Sequence, residues 1–189
     1  MRHNLAKHIV LALLLISASC LLAESRPSAD KVMKDAEARA AAEHKNIFLI
    51  FHASWCGWCT QLDRFLESPE IKPVIDKNFV VARLDVEEAK HPEWNNPGGE
   101  ALMKTLGTTG GMPYLVFLDA RGKPIVNSNR PSPGHAGGEN IGYPVAPEEI
   151  AWFMQMLQKG APNMTTPERK LIDDSLQLMA QQITSKQGH

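Results

Sequence analysis

Two apolar runs, residues 47–51 and 114–118, are hydrophobic at every position, the pattern of strands buried on both faces. Between them, residues 79–86 read as a further buried strand that ends in Asp85-Val86-Glu87-Glu88. The intervening stretches switch to helical spacing. Ser28 or Asp30 caps a helix running to about His44, with Val32, Ala36, Ala40 and Ala41 on its inner face. Leu62, Phe65 and Leu66 recur at i, i+3, i+4 in a helix that stops near Glu67, ahead of Ser68-Pro69. Residues 70–77 form a short helix that buries Ile71, Val74 and Ile75, and 99–106 form another after the irregular stretch 89–98. Asp119-Ala120-Arg121-Gly122 is a hairpin turn leading into a strand over 123–127. Residues 131–144, rich in Gly and Pro, read as a surface loop. Pro147 opens a helix with Ile150, Phe153, Met154 and Leu157 inward, and 167–184 form a last helix burying Leu171, Ile172, Leu176 and Met179. The core order is β–α–β–α–β–β–α with an extra helix at each end. It predicts an α/β fold with a central mixed sheet, parallel at the strand–helix–strand half and antiparallel at the hairpin.

The chemistry sits where the first strand breaks. After Ala53-Ser54 come Trp55-Cys56-Gly57-Trp58-Cys59, which places both cysteines in the first turn of the following helix. Helix N-termini carry unpartnered N–H groups and a partial positive charge, which favours an anion. For cysteine that anion is the thiolate, the nucleophile of disulfide exchange. Cys56 is the outer sulfur and the expected attacker; Cys59 lies deeper and is placed to resolve the mixed disulfide.

Length and composition add a frame and an address. The 189 residues, 43% hydrophobic and 22% charged, suit one soluble globular domain. A net charge of −1 without a basic cluster argues against a nucleic-acid partner. Arg2 and Lys7 precede an apolar run over 9–16, too short to span a bilayer comfortably, and Ser17-Ala18-Ser19 follow. Residues 1–23 are therefore expected to be an export signal, with the mature domain over 28–185. Residues 17–20 resemble the lipobox of bacterial lipoproteins, with Ser17 in place of the usual Leu. Cys20 is accordingly the candidate for lipidation and a lipid anchor, and plain cleavage is the competing outcome. If Cys20 is removed or acylated, Cys56 and Cys59 are left as a pair. An exported protein meets an oxidising compartment, but a disulfide across two residues closes almost no loop, so this pair reads as working chemistry and not as a staple.

This element order, with Trp55-Cys56-Gly57-Trp58-Cys59 after the first strand and Gly111-Met112-Pro113-Tyr114 opening the third, resembles the thioredoxin fold over about residues 45–159. Ser68-Pro69-Glu70, Asn78-Phe79-Val80 and the strand ending in Asp85-Val86 narrow the likeness to exported thioredoxin-like proteins with a Cys-x-Trp-Cys site. The helical extension over 165–185 lies beyond it. The resemblance implies that Pro113 is cis and stands beside the cysteines, and that Met112 presents its backbone for an extended substrate to pair with as an added strand. Gly110 and Gly111 would let the chain turn there. One departure is plain. Where thioredoxins carry a buried Asp six residues before the first cysteine, this chain has Ile50, and Arg83 stands at about the position of a nearby thioredoxin lysine.

The expected activity is exported thiol–disulfide exchange with protein thiols and disulfides, at the periplasmic or extracytoplasmic face of a bacterial membrane. It needs no cofactor beyond the Cys56–Cys59 couple. Gly57 and Trp58 add no charge between the cysteines, which favours a reductase or isomerase drawing electrons from a membrane donor. Trp55 flanks the thiol; Trp58 and Met112 form an apolar docking surface, and Tyr114 and Phe117 belong to the core. His52 reads as a satisfied structural histidine. His91 and His135 lack partners at ligand spacing, and with no second Cys-x-x-Cys no metal site is expected. Two other functions fit the same residues: a peptide-binding module without redox turnover, and a redox or copper carrier in cytochrome or copper-centre assembly.

Overall fold

The computed structural model describes residues 26–187, so the export signal and Cys20 lie outside the described residues. Thirteen elements follow one another: α1 (Ala29–Glu43), β1 (Asn46–His52), α2 (Gly57–Leu66), α3 (Lys72–Asn78), β2 (Phe79–Asp85), a 3-10 turn (Pro92–Trp94), α4 (Gly99–Thr105), β3 (Tyr114–Leu118), β4 (Pro124–Asn127), β5 (Asn129–Ser132), β6 (His135–Asn140), α5 (Pro147–Gly160) and α6 (Thr166–Gln187). Four strands form one sheet in the order β2-β1-β3-β4. β1 runs parallel to β2, from Asn46 opposite Phe79 to His52 opposite Asp85, and antiparallel to β3, with Ile47 opposite Leu118 and Phe51 opposite Tyr114. β4 closes the edge as an antiparallel neighbour of β3. The mixed α/β architecture is the expected one.

The central position of β1 explains its composition. Residues 47–51 are fully buried, and alternate side chains feed two cores. Phe48 and Ile50 pack with Leu62, Phe65, Ile75, Phe117, Phe153 and Leu157, under α2, α3, α5 and α6. Ile47, Leu49 and Phe51 pack with Ala36, Ala40, Met103 and Tyr114, under α1 and α4. The rings of Phe48, Phe79 and Phe117 lie within 4.7–5.9 Å of one another and anchor the first layer.

Four expectations need correction. On α1 the inner stripe is Ala29, Ala36 and Ala40, while Ala41 is exposed, because one further residue rotates about 100° away from the sheet. On α5 the buried face is Ile150, Phe153, Met156, Leu157 and Gly160, and Met154 is only half-buried. On α6 the buried residues are Ile172, Leu176 and Ala180 at i+4 spacing, with Leu171 and Met179 at the rim. The largest correction concerns 131–144. Much of this stretch belongs to a two-stranded antiparallel sheet, β5 with β6, closed by a turn at Pro133-Gly134. Only Asn129 in its strands is buried, so they lack the apolar alternation that marks a core strand. Gly138, at φ 83°, lets β6 lie close on β5; a Cβ there would sit 2.6 Å from the Arg130 carbonyl oxygen. Beyond the hairpin, Ile141 and Tyr143 return to the main core.

Candidate active site

β1 delivers the chain to the cysteines. Its last residue, His52, is followed by Ala53, which is fully buried, and Cys56 N–H closes a turn onto the Ala53 carbonyl at 3.1 Å. Cys56 is the N-cap of α2, with extended backbone, and its Sγ accepts a hydrogen bond from the Cys59 N–H at 3.0 Å. That places the sulfur at the positive end of a ten-residue helix. Cys56 and Cys59 are joined by a disulfide, with Cα atoms 5.2 Å apart. Cys59 is fully buried and Cys56 retains 5% exposure, so Cys56 is the more accessible of the pair.

Met112 packs against Ala53, Cys56 and Cys59, and the Met112–Pro113 peptide bond is cis. Pro113 itself is buried at the start of β3. Gly57 faces open space: a Cβ built there meets nothing within 4 Å. The two tryptophans are among the most exposed large apolar side chains, Trp55 at 60% and Trp58 at 45%. Trp55 donates its indole N–H to the Glu87 carbonyl at 2.9 Å. Trp58 stacks on Tyr143 with ring centroids 6.2 Å apart and planes inclined by 11°. Beside the disulfide, Trp58, Met112, Ile141, Tyr143, Val145 and Ile183 line a groove of about 620 Å³.

A polar layer lies under the loop before the cysteines. Glu88, only 3% exposed, accepts from the Ser54 backbone N–H and, at 2.8 Å, from the Ser54 hydroxyl. Its own N–H donates to Asn95 Oδ1 at 3.0 Å, while the neighbouring Asn96 accepts from Asp85 N–H and donates to the Pro27 carbonyl. Nothing in the sequence reading singled out Glu88. The available signal was two adjacent acids just beyond β2, which ends level with the end of β1.

His52 lies between two carboxylates, 3.2 Å from Asp63 on α2 and 3.3 Å from Asp85 on β2. Asp63 first, then Asp85, raise its pKa to about 9 against the opposing effect of burial. Burial pushes the Asp63 carboxyl up, but the hydrogen bond to His52 and the Arg83 charge outweigh it and hold the pKa below the ordinary value. Arg83 reaches both Asp63 and Glu67 at 3.3 Å. His52 is thus a structural cation tying α2 to the sheet. Ile50 is fully buried among apolar side chains. His91 stacks on Trp94, and His135 lies 3.3 Å from Glu139. Among the described residues no cluster of His, Cys, Asp and Glu is arranged to hold a metal ion, and no helix is long and apolar enough to cross a membrane.

Residues 30–120 match the family model described as thioredoxin-like. This stretch is a thioredoxin-like domain. Among proteins of known role, the chain is similar to the disulfide bond reductase DsbH of Chlamydia pneumoniae, 29% identical over 130 residues, which cover 59% of this chain and 78% of that protein. It is also similar to the thiol:disulfide interchange protein DsbD of Vibrio cholerae, 31% identical over 98 residues; these cover 51% of this chain but only 15% of that protein. Among solved structures, a disulphide isomerase from Xylella fastidiosa Temecula1 aligns with a TM-score of 0.47 at 26% identity, over 58% of this chain and 79% of that one. The matched thioredoxin-like stretch holds the cysteines and Met112; the β5–β6 hairpin, α5 and α6 lie beyond it.

Proposed function

We propose that the protein catalyses thiol–disulfide exchange outside the cytoplasm, in the reducing or isomerising direction, with Cys56 as attacking nucleophile and Cys59 as resolving thiol. The protein is a thioredoxin-like thiol–disulfide oxidoreductase. The observation that carries this reading is the Cys56–Cys59 disulfide capping α2, with Met112 packed against it. In the reduced protein, the helix N-terminus and the Cys59 N–H favour the Cys56 thiolate. That thiolate attacks a substrate disulfide, forming a mixed disulfide and releasing one substrate thiolate. The Cys59 thiolate then attacks Cys56 Sγ, closing the protein disulfide and releasing the second substrate thiol with both electrons.

Substrate lies along the Met112–Pro113 edge, with Trp58 as an apolar wall and Trp55 on the other flank of the sulfur. Gly57 leaves the approach open. Neither residue between the cysteines carries a charge that would stabilise the Cys56 thiolate further, so the couple belongs towards the reducing part of the range found on this fold. The proton of Cys59 leaves without a carboxylate at position 50. Partners are protein disulfides on one side and a membrane-borne dithiol donor on the other. The export signal over 1–23, or a lipid anchor at Cys20, places the domain over 28–185 at the periplasmic face. The test is reduction of insulin by dithiothreitol, comparing the wild type with Cys56→Ser. Acceleration by the wild type alone is expected; equal rates refute the reading.

A further inference from the structure

We propose that Asn140, on the β5–β6 hairpin, is the positioning residue that holds the Met112 backbone edge for polypeptide substrates, which makes the hairpin a specificity element for protein disulfides over small ones. This deepens the exchange reading above and rests on it. The segment entering β3 has little stiffness of its own, since Gly110 and Gly111 follow one another at φ 101° and 78°. Asn140 supplies the missing restraint. Its Nδ2 donates to the Gly111 carbonyl at 3.0 Å and to the Pro113 carbonyl at 3.1 Å, the two carbonyls on either side of Met112.

The other end of the same amide is anchored. Asn140 Oδ1 accepts from the Ser128 hydroxyl at 2.6 Å and from Gly142 N–H at 3.2 Å. With both donors and the acceptor engaged, the carboxamide has one orientation that satisfies all four partners. Ser128 is fully buried, and its Oγ in turn accepts from Leu115 N–H at 3.0 Å, so the strut is fixed to the central sheet. Asn129 secures the start of the segment: its Nδ2 donates to the Gly107 carbonyl at 2.7 Å, and its Oδ1 accepts from the Thr109 hydroxyl at 3.1 Å. Met112 meanwhile packs on the cysteine pair. The hairpin therefore sets where the Met112 N–H and carbonyl stand relative to Cys56 without touching either sulfur. An extended polypeptide must register on that backbone edge to present its disulfide. A small disulfide needs only the sulfur.

The test compares kcat and KM of the full chain on insulin and on bis(2-hydroxyethyl) disulfide, for the wild type, Asn140→Asp and Asn140→Ala. Asn140→Asp keeps an acceptor for Ser128 and Gly142 but turns an oxygen towards the two carbonyls; Asn140→Ala removes the strut without that repulsion and stands in if the first variant does not fold. KM for insulin is expected to rise roughly ten-fold, the size of one or two lost hydrogen bonds. The rate on the small disulfide is expected to stay within about two-fold of the wild type, because the helix N-terminus that activates the thiolate is untouched. Equal losses on both substrates, or no loss on either, overturn the assignment. A wild type inert towards both would instead remove the exchange reading, and this assignment with it.

Discussion

Replacing His52 with glutamine probes the charge cluster that ties the active-site helix to the sheet. The side chain is 19% exposed and lies 3.2 Å from Asp63 and 3.3 Å from Asp85. Arg83 faces Asp63 and Arg26 faces Asp85, at 3.3 and 2.9 Å, so both carboxylates are shared with a permanent cation. The His52 pKa nevertheless rises from 6.5 to about 9, through Asp63 first and Asp85 second. At about 1.4 kcal/mol per pKa unit this corresponds to roughly 3 kcal/mol, an upper bound because the ring still meets some water. The folded value lies above the unfolded one, so the folded state keeps a proton that the unfolded chain gives up. The stabilisation is complete below about pH 6.5, fades as pH rises and is lost above about pH 9. Asp63 works from the acid side: its lowered pKa adds stability above the ordinary carboxylate range that is lost as pH falls through the folded value. Urea unfolding of the oxidised wild type and His52→Gln, at about pH 6 and about pH 9.5, reads the difference directly. The wild type should lead by roughly 2–3 kcal/mol at the lower pH and by almost nothing at the higher. Groups that titrate equally in both proteins cancel. A gap of the same size at both pH values refutes the linkage.

Other expectations follow from single contacts. Glu88→Ala strands the Ser54 N–H and hydroxyl under the loop that carries Trp55 and Cys56, and should cost about 1–3 kcal/mol in a thermal or urea melt. An unchanged midpoint would show that the contact carries no stability. Gly160→Ala drives a Cβ into the Phe117 ring, with Cγ only 2.8 Å away, and should lower stability by about 1–3 kcal/mol; a neutral result would mean that α5 shifts freely on the sheet. The Cys56–Cys59 reduction potential, measured against a glutathione or dithiothreitol buffer, should fall in the reducing half of the range from about −270 to −120 mV. A value near the oxidising end would reverse the proposed direction.

What the sequence disclosed and what it hid divide along physical lines. Residues 47–51 of β1 and all of β3 are apolar because helices cover both faces of the sheet, so a pattern of residues alone exposes them. The cysteines and the helix they open were legible because that chemistry needs a fixed spacing at a strand–helix junction, whereas Met112 entered only through the family resemblance. The inner face of α5 was ambiguous: Trp152, Phe153, Met154, Met156 and Leu157 crowd one helix, and only packing decides that Met156 goes in and Met154 to the side. The hairpin was hidden because β5 and β6 contain almost no apolar residue; backbone pairing, the Arg130–Glu139 ion pair and the Asn140 amide hold it. Glu88 was hidden for a different reason. An acid at the end of a strand reads as surface charge until the β1–β2 register sets His52 beside Asp85 and brings Glu88 under Ser54.

The most direct measurement uses Cys59→Ser, which leaves Cys56 without a resolving partner. The reduced variant is mixed with a peptide disulfide, quenched with acid and mapped by mass spectrometry. The account requires a stable adduct on Cys56, one peptide per protein, that dithiothreitol releases. No adduct on Cys56, or one that dithiothreitol does not release, would contradict it.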